Sequence, residues 1–233
     1  MVSSVSLCLC GEDFSSGGCM LKVGLTGSIA SGKSVVGEMF VALGAHLTQA
    51  DQIAHQLMQP GEPVYGQVVA HFGLEVLSPD GTINRAKLAE AAFGSPSSAA
   101  NSIPSRLEEL NRIVHPAVVR RQDEWMDSVG LQHPQAITIV EAALILEAGA
   151  ANRFDRLLVV TCTDEQRIAR FAARHNLSID AARQEVSRRL AAQLPESEKI
   201  KAADFVIDNS GSIEHTQEQV REVWKKLVPE AMS

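Results

Sequence analysis

Short apolar segments rich in Val, Ile and Leu recur along the chain, and longer amphipathic stretches separate them. Fully buried strands of parallel sheets have continuous apolar sequences of this kind rather than alternating ones. Four segments therefore predict parallel strands: LKVGLTG from Leu21, AITIVEA from Ala136, RLLVVTC from Arg156 and DFVIDNS from Asp204. A fifth segment, GAHLTQAD from Gly44, carries a weaker strand signal.

Helical patterns lie between these strands. The first runs from Lys33 to Leu43 and places Val36, Met39 and Phe40 on one face. Strands that alternate with helices predict an α/β fold, here a five-stranded parallel sheet with right-handed crossovers. Two stretches are longer than a crossover needs, one from about residue 60 to 132 and an arginine-rich one from about 164 to 203. We expect both at the carboxyl end of the sheet, where open α/β folds bind ligands.

The composition restricts the class of protein. Of the 233 residues, 45% are apolar, which predicts a packed core, and the net charge of −7 argues against non-specific binding to nucleic acid or anionic membranes. No apolar run approaches the roughly twenty residues of a membrane span. Residues 1–19 contain Cys8, Cys10 and Cys19 but lack a fourth ligand at metal-site spacing, so a flexible extension is favoured over a metal knuckle. We expect a cytosolic domain from 20 to 233.

One motif carries specific chemistry. The sequence G-x-x-x-x-G-K-S follows the first strand and opens the first helix, which is the context of a phosphate-binding loop. Glycines at both ends permit the turns that direct successive backbone N–H groups toward an anion. The residues expected to bind ATP are Gly27, Ser28, Ile29, Ala30, Ser31, Gly32, Lys33, Ser34 and Val35. Lys33 would reach the β- and γ-phosphates, and the Ser34 hydroxyl would bind Mg²⁺.

Two further features indicate what happens to the phosphate. Asp51 follows the second strand, where a carboxylate accepts a proton from an attacking hydroxyl or holds Mg²⁺ through water; a helix N-cap is the structural alternative. Arg167, Arg170 and Arg174 recur at spacings of three and four and share one helix face. They form either a lid that neutralises a transferring phosphoryl group or an ordinary solvated helix with ion pairs. The chain lacks the N-K-x-D base reader of GTPases.

Taken in order, these motifs resemble the dephospho-coenzyme A kinase family from about Leu21 to Trp224. The similar segments are GLTGSIASGKSVV, ADQIAH, SPDGTINRAKLAEAAF, LNRIVHPAV, VEAALILE, RFAARHNLS and RRLAAQLPESEKIKAADFVIDNSGS. The resemblance implies a P-loop kinase fold with a helical acceptor-binding insertion and a short lid. It implies transfer of the γ-phosphoryl group of ATP, with Mg²⁺, to the 3′-hydroxyl of dephospho-CoA.

The resemblance also implies roles for individual residues. Asp51 would orient or deprotonate the acceptor hydroxyl, Lys33 would bridge phosphates, and Arg170 and Arg174 would close over the transfer site. Asn209 and Gly211 match a segment near the adenine of ATP. Residues implied to bind the acceptor are Asp51, Arg85, Arg112, His115 and Glu141. For the segment LNRIVHP the structural alternative is a helix end capped by His115. Gln193 and Lys199 match the family without an assigned role.

The sequence departs from the family pattern at two places. Gln49 stands where the family usually has an aspartate two residues before Asp51, and Ala143 replaces a proline after the third strand, where Glu141 replaces an aspartate. Neither change removes a reactive group, so activity is expected. The alternatives are another P-loop kinase for a nucleoside or nucleotide, and a nucleotide-dependent regulatory protein that has lost transfer. The partners expected are ATP and dephospho-CoA, with no nucleic acid and no membrane.

Overall fold

The structure is a computed structural model that describes residues 20–93 and 106–232. Its centre is a sheet of five parallel strands in the order β2-β3-β1-β4-β5, which confirms the predicted sheet. The strands are β1 (Leu21–Thr26), β2 (His46–Gln49), β3 (Ile137–Glu141), β4 (Arg156–Thr161) and β5 (Phe205–Asp208). The weaker candidate, β2, forms one edge of the sheet. Residues 1–19, predicted to be a flexible extension, lie outside the described residues.

Helices connect and cover the strands. They are α1 (Lys33–Ala42), α2 (Ala50–Leu57), α3 (Pro63–Phe72), α4 (Arg85–Phe93), α5 (Leu107–Gln132), α6 (Asp164–His175), α7 (Ile179–Ala191), α8 (Glu196–Ala202) and α9 (Ile213–Ala231). Two 3₁₀ turns lie at Leu74–Val76 and Ala151–Arg153. No helix of the described residues is long and apolar enough to cross a membrane.

The main core lies between the sheet and the helices α1 and α9. Val23, Leu25, Ile139 and Leu158 are fully buried in the sheet, and Phe40 of α1 packs against them. Burial of apolar surface at about 25 cal/mol per Å² makes this cluster the main source of stability. Since β3 lies beside β1, the pairing aligns Leu25 with Glu141 and Glu141 with Gln49. The segments that follow β1, β2 and β3 therefore start from the same end of the sheet, the carboxyl end of its strands.

Two smaller cores support the segments inserted at the carboxyl end of the sheet. Helices α2 to α5 share a cluster that includes Ile53, Val68 and Leu88. Helices α6 and α7 share another, built on Phe171 and Val186, and Ile29 and Ala30 of the predicted phosphate loop pack against it. Each long stretch therefore has an apolar core of its own, and the second contacts the loop directly.

Candidate active site

The loop between β1 and α1 has the backbone that its glycines predict. Gly27 and Gly32 have φ angles of 151° and 96°, which favour glycine. A Cβ atom on Gly27 would collide with the Val160 carbonyl, and one on Gly32 would collide with the Asn209 amide. Ala30 also has a positive φ, of 55°, although it carries a Cβ. Both glycines are therefore required by conformation and by close packing.

Side chains bind the backbone carbonyl groups of this loop. Lys33 Nζ donates to the carbonyl oxygens of Gly27 at 3.0 Å and Ser28 at 3.2 Å. Arg170 Nη1 and Asn209 Nδ2 donate to the Ser31 carbonyl at 3.1 and 2.9 Å. In a planar trans peptide the C=O and the following N–H point in opposite directions. The outward carbonyl of Ser31 therefore turns the next N–H toward the cradle, as anion binding requires.

Lys33 is electrostatically poised for an anion. Burial lowers the pKa of its ammonium from 10.5 to about 8, and Lys199 and Arg167 add to the lowering, while Glu141 and Asp51 oppose it. A buried charge that is short of counter-charge is stabilised when a polyanion arrives. The half-buried Lys33 is thus the group in this loop best placed to respond to bound phosphates.

Ser34 and Glu141 meet at the loop. The Ser34 hydroxyl donates to Glu141 Oε1 at 2.8 Å. Glu141 is buried, and its second oxygen, Oε2, accepts no hydrogen bond. An unpaired buried carboxylate oxygen is costly unless a cation or a donor satisfies it. The role of Glu141 in acceptor binding stays a prediction. The hydrogen bond shows that its carboxylate lies beside Ser34, the residue expected to bind Mg²⁺.

Asp51 lies in the first turn of α2 and is exposed. The N-cap of this helix is Gln49, which makes no side-chain capping bond, so the N-cap interpretation of Asp51 is wrong. Within the part of the chain that the structure describes, no hydrogen bond or ion pair occupies the Asp51 carboxylate. The side-chain oxygen of Gln49 accepts a hydrogen bond from Gln52 of α2. Asp51 is therefore a carboxylate without a partner among the described residues, and its charge acts on Lys33.

The three arginines of α6 differ in environment. Arg167 is fully buried, Arg170 is half-buried and bound to the Ser31 and Asn209 carbonyls, and Arg174 is exposed. Among the described residues, Arg174 has no hydrogen-bond or ion-pair partner. The description as a solvated face with ordinary ion pairs therefore fails for Arg167 and Arg170, and Arg174 is the guanidinium left free for a ligand.

The predicted acceptor residues lie on α4 and α5. Arg85 begins α4, and Arg112 and His115 lie three residues apart on α5. All three are exposed and have no hydrogen-bond partner among residues 20–93 and 106–232. Helix α5 continues through Pro116, so the alternative in which His115 caps a helix end is wrong. All three side chains are therefore accessible to a ligand in the helical region.

The segment after β5 holds the loop from the other side. Asn209 is buried, accepts from Thr216 Oγ1 at 3.1 Å and, as above, donates to Ser31. Its side chain is thereby used within the protein, and so is its backbone: the N–H donates to the Thr161 carbonyl, and the C=O accepts from Arg170 Nη2. Gly211 is exposed. Its predicted place near adenine is untouched by these contacts.

One ion pair near the site is not evident from sequence. Lys199 is fully buried, and its Nζ lies 2.8 Å from Glu147 Oε1, which also accepts from the Leu194 backbone N–H at 3.0 Å. This pair joins the turn that follows β3 to α8. Ala143 begins that turn, and its carbonyl accepts from Thr26 Oγ1 at 3.2 Å. The turn remains tied to β1 although the family's proline is absent.

The chain was compared with known proteins. The family model for dephospho-CoA kinase matches residues 21–215. A dephospho-CoA kinase of Syntrophotalea carbinolica is 40% identical over 210 residues, which cover 90% of this chain and 93% of that protein. A dephospho-CoA kinase of Corynebacterium jeikeium is 37% identical over 208 residues, which cover 89% of this chain and 100% of that protein. Among solved structures, TT1252 from Thermus thermophilus is 31% identical with a TM-score of 0.70, covering 90% of this chain and 98% of that one.

A second solved structure supports the fold. It is a dephospho-CoA kinase from Campylobacter jejuni, with a TM-score of 0.55 and 24% identity. The match covers 88% of this chain and 96% of that one. At that identity the similarity concerns the fold alone.

Proposed function

The chain belongs to the dephospho-CoA kinase family, and from this we propose how its cleft performs the reaction. It catalyses the ATP-dependent phosphorylation of dephospho-CoA in coenzyme A biosynthesis. In our proposal the 3′-hydroxyl of the acceptor ribose attacks the γ-phosphorus of ATP and ADP leaves. Such transfers need little covalent work from a protein, so positioning and charge stabilisation carry the catalysis.

The phosphates of ATP would lie in the loop from Gly27 to Ser34. Its backbone N–H groups and the N-terminus of α1 would bind the phosphate oxygens, and Arg170 would hold the Ser31 carbonyl away from them. Lys33 would move from the Gly27 and Ser28 carbonyls to the β- and γ-phosphates. We place the adenine beside Asn209 and Gly211, where the backbone of Gly211 would contact it.

The residues present suit a magnesium ion. The ion prefers oxygen ligands and usually binds through one or two protein groups together with phosphates. The Ser34 hydroxyl and the unpaired Oε2 of Glu141 offer two adjacent oxygens. No group of three or more His, Cys, Asp or Glu residues able to hold a metal occurs in the described chain. In this proposal substrate oxygens would complete the site. When bound, Mg²⁺ would neutralise charge on the β- and γ-oxygens.

Asp51 would handle the proton of the acceptor hydroxyl. A general base must lie within hydrogen-bond reach of the proton it removes, and Asp51 has no competing partner in the structure described. Its charge also acts on Lys33, where it opposes the lowering of the pKa of that ammonium. As the hydroxyl attacks, the carboxylate would orient it and accept its proton.

Arg174 would meet the charge of the transferring phosphoryl group, and Arg170 would hold the loop beneath it. An arginine over the phosphoryl oxygens stabilises the charge of the transition state and excludes water. Arg85, Arg112 and His115 would bind the pyrophosphate of dephospho-CoA, because guanidinium groups form charge-assisted pairs with phosphate oxygens. The protein would act in the cytoplasm, without nucleic acid or membrane.

The observation that carries this proposal is the convergence of Lys33, Ser34 and Glu141 with a free Asp51. The test is ADP release from ATP and Mg²⁺ with dephospho-CoA, adenosine, AMP or no acceptor. We expect release only with dephospho-CoA, and CoA as the product. Equal or greater release with adenosine or AMP would favour another nucleoside or nucleotide kinase. ATP binding without transfer to any acceptor would favour a regulatory protein.

A further inference from the structure

Arg167 is the most deeply buried arginine of α6. Its side chain is 1% exposed, although arginine is almost never fully buried without partners. Burying a guanidinium is costly unless its donors are satisfied. The sequence position gave no hint of this, because Arg167 shares its helical spacing with Arg170 and Arg174. A group buried at such cost has contacts that explain its position.

Those contacts join three segments. Arg167 Nη1 donates to the Ile29 carbonyl at 2.9 Å. Its Nη2 donates to Glu196 Oε1 at 2.9 Å and to the Cys162 carbonyl at 3.3 Å, and its Nε lies 3.4 Å from Asp164 Oδ1. One side chain therefore binds the phosphate loop, the end of β4 and the start of α8. Both terminal nitrogens are engaged within the protein, whereas Nε makes no hydrogen bond and has only the charge of Asp164 nearby. The side chain is buried, so it does not reach out to ATP.

The residue after Ile29 has an unfavourable backbone conformation. Ala30 has a φ of 55°, and residues with a Cβ adopt this left-handed region at an energetic cost. Its carbonyl also faces the Cys162 thiol, with the sulfur 3.8 Å from the oxygen. Ile29 and Ala30 pack together against the core of α6 and α7. Arg167, Cys162 and the core of α6 and α7 therefore all contact the Ile29–Ala30 segment.

The direction of the Ile29 carbonyl fixes the next N–H group. The peptide between Ile29 and Ala30 is planar and trans, so a carbonyl directed at Arg167 turns the Ala30 N–H to the opposite side, into the cradle. Without this anchor only the Cys162 contact and the packing against α6 and α7 would oppose rotation of the peptide, and Ala30 would relax more readily to a right-handed or extended conformation. The cradle would then lose one of its donors until ATP supplied the energy to restore it.

We propose that Arg167 is a positioning residue for ATP, which holds the Ile29–Ala30 peptide in its phosphate-binding orientation before the nucleotide arrives. The inference rests on the proposed function, since it takes this loop as the ATP site. It adds to it a residue that never touches the substrate. Glu196 has an accessory part, because its carboxylate keeps the guanidinium directed toward the loop.

The test measures ATP binding in the absence of acceptor. Arg167→Met removes the anchor and keeps an apolar side chain in the buried space. We expect the Kd for Mg-ATP by calorimetry, and the KM for ATP, to rise roughly tenfold, because a lost hydrogen bond to a charged group has about this effect. We expect kcat to change by less than about threefold, because the reacting groups remain in place. Arg188→Met is the matched control, since Arg188 is exposed and pairs with Glu185 on α7; its Kd should equal that of the unsubstituted protein.

A second substitution separates positioning from support of the fold. Glycine adopts positive φ without the cost that Ala30 bears. The double variant Arg167→Met, Ala30→Gly should therefore bind ATP at least about threefold more tightly than Arg167→Met alone. A residue that merely stabilises the fold gives no reason for such a rescue. An unchanged or weaker affinity in the double variant would overturn the proposal.

Arg167→Lys covers the case in which the methionine variant does not fold. Lysine keeps a buried charge for Glu196 but lacks the second arm for Ile29. Its Kd should rise as well, and a folded Met or Lys variant with unaltered ATP affinity would overturn the inference. The unsubstituted protein separates the two ideas. If it binds no ATP, the proposed function itself fails; if it binds ATP and the variants bind equally well, only the positioning role fails.

Discussion

The Ser34 hydroxyl donates a hydrogen bond of 2.8 Å to Glu141, and this contact joins the first turn of α1 to the end of β3. It exists because β3 is inserted between β2 and β1, so that Glu141 aligns with Leu25, two residues before the loop begins. The carboxylate keeps its second oxygen free and buried. The sheet order thus brings together two oxygen-bearing side chains, which we propose as magnesium ligands and which neither segment contains by itself.

Substitution of Glu141 should change the metal dependence of the reaction. Glu141→Gln keeps the shape and a hydrogen-bonding oxygen but removes the charge. We expect the Mg²⁺ concentration for half-maximal activity to rise about tenfold, while ATP binding without metal changes by less than about twofold. For Glu141→Asp this Mg²⁺ concentration should lie between those of the unsubstituted enzyme and Glu141→Gln. Equal Mg²⁺ dependence for Glu141→Gln and the unsubstituted enzyme would contradict the assignment.

The affinity for ATP should depend on pH through Lys33. Burial lowers the pKa of its ammonium to about 8 in the ligand-free protein, and bound phosphates would raise it again. The charged form binds, so affinity should be full below about pH 8 and should fall as the pH rises above it, by up to roughly tenfold per pH unit. Calorimetry between about pH 7 and pH 9.5 measures this. Lys33→Arg, which keeps its charge over that range, should abolish the fall. The same slope in both proteins would show that another group titrates.

Substitution of an arginine proposed to bind the acceptor should weaken the binding of dephospho-CoA and leave the binding of ATP unchanged. Arg112→Ala removes an exposed guanidinium that has no partner among the described residues. We expect the KM for dephospho-CoA to rise about tenfold, because charge-assisted bonds to phosphate are strong, with the KM for ATP unchanged within about twofold. The control is Arg221→Ala on α9, whose guanidinium only approaches Gln217. Steady-state kinetics with each substrate varied in turn provide the readout, and a rise confined to the KM for ATP would contradict the proposed acceptor site.

Much of the fold was predictable because its signals are local. The buried strands are continuous apolar runs, and the glycines of the phosphate loop stand where the backbone needs positive φ, as Gly32 does. Even β2 was placed, although its burial is only partial at every position. These features depend on neighbours in sequence, which is where pattern analysis has its information.

The contacts that complete the site were not predictable in the same way. Ser34 and Glu141 meet only because of the strand order, and Lys199 pairs with Glu147 across two separate elements. Arg167 looks like an exposed helical arginine until the packing of α6 against the loop is known. Asp51 suggested a helix cap because it precedes a helical pattern, but the helix begins one residue earlier. In each case tertiary packing, and not local propensity, determines the environment of the side chain.

Asp51 is the group proposed to take the proton of the acceptor hydroxyl, and this role is central to the mechanism. Asp51→Asn keeps the size of the side chain and removes its basicity. A single-turnover measurement with saturating dephospho-CoA, together with the Kd for Mg-ATP, separates chemistry from binding. We expect the rate of transfer to fall by at least about a hundredfold, the usual contribution of general base catalysis, with the Kd within about threefold of the unsubstituted enzyme. A normal transfer rate, or a loss confined to ATP affinity, would contradict the account and leave Asp51 as a support for magnesium or structure.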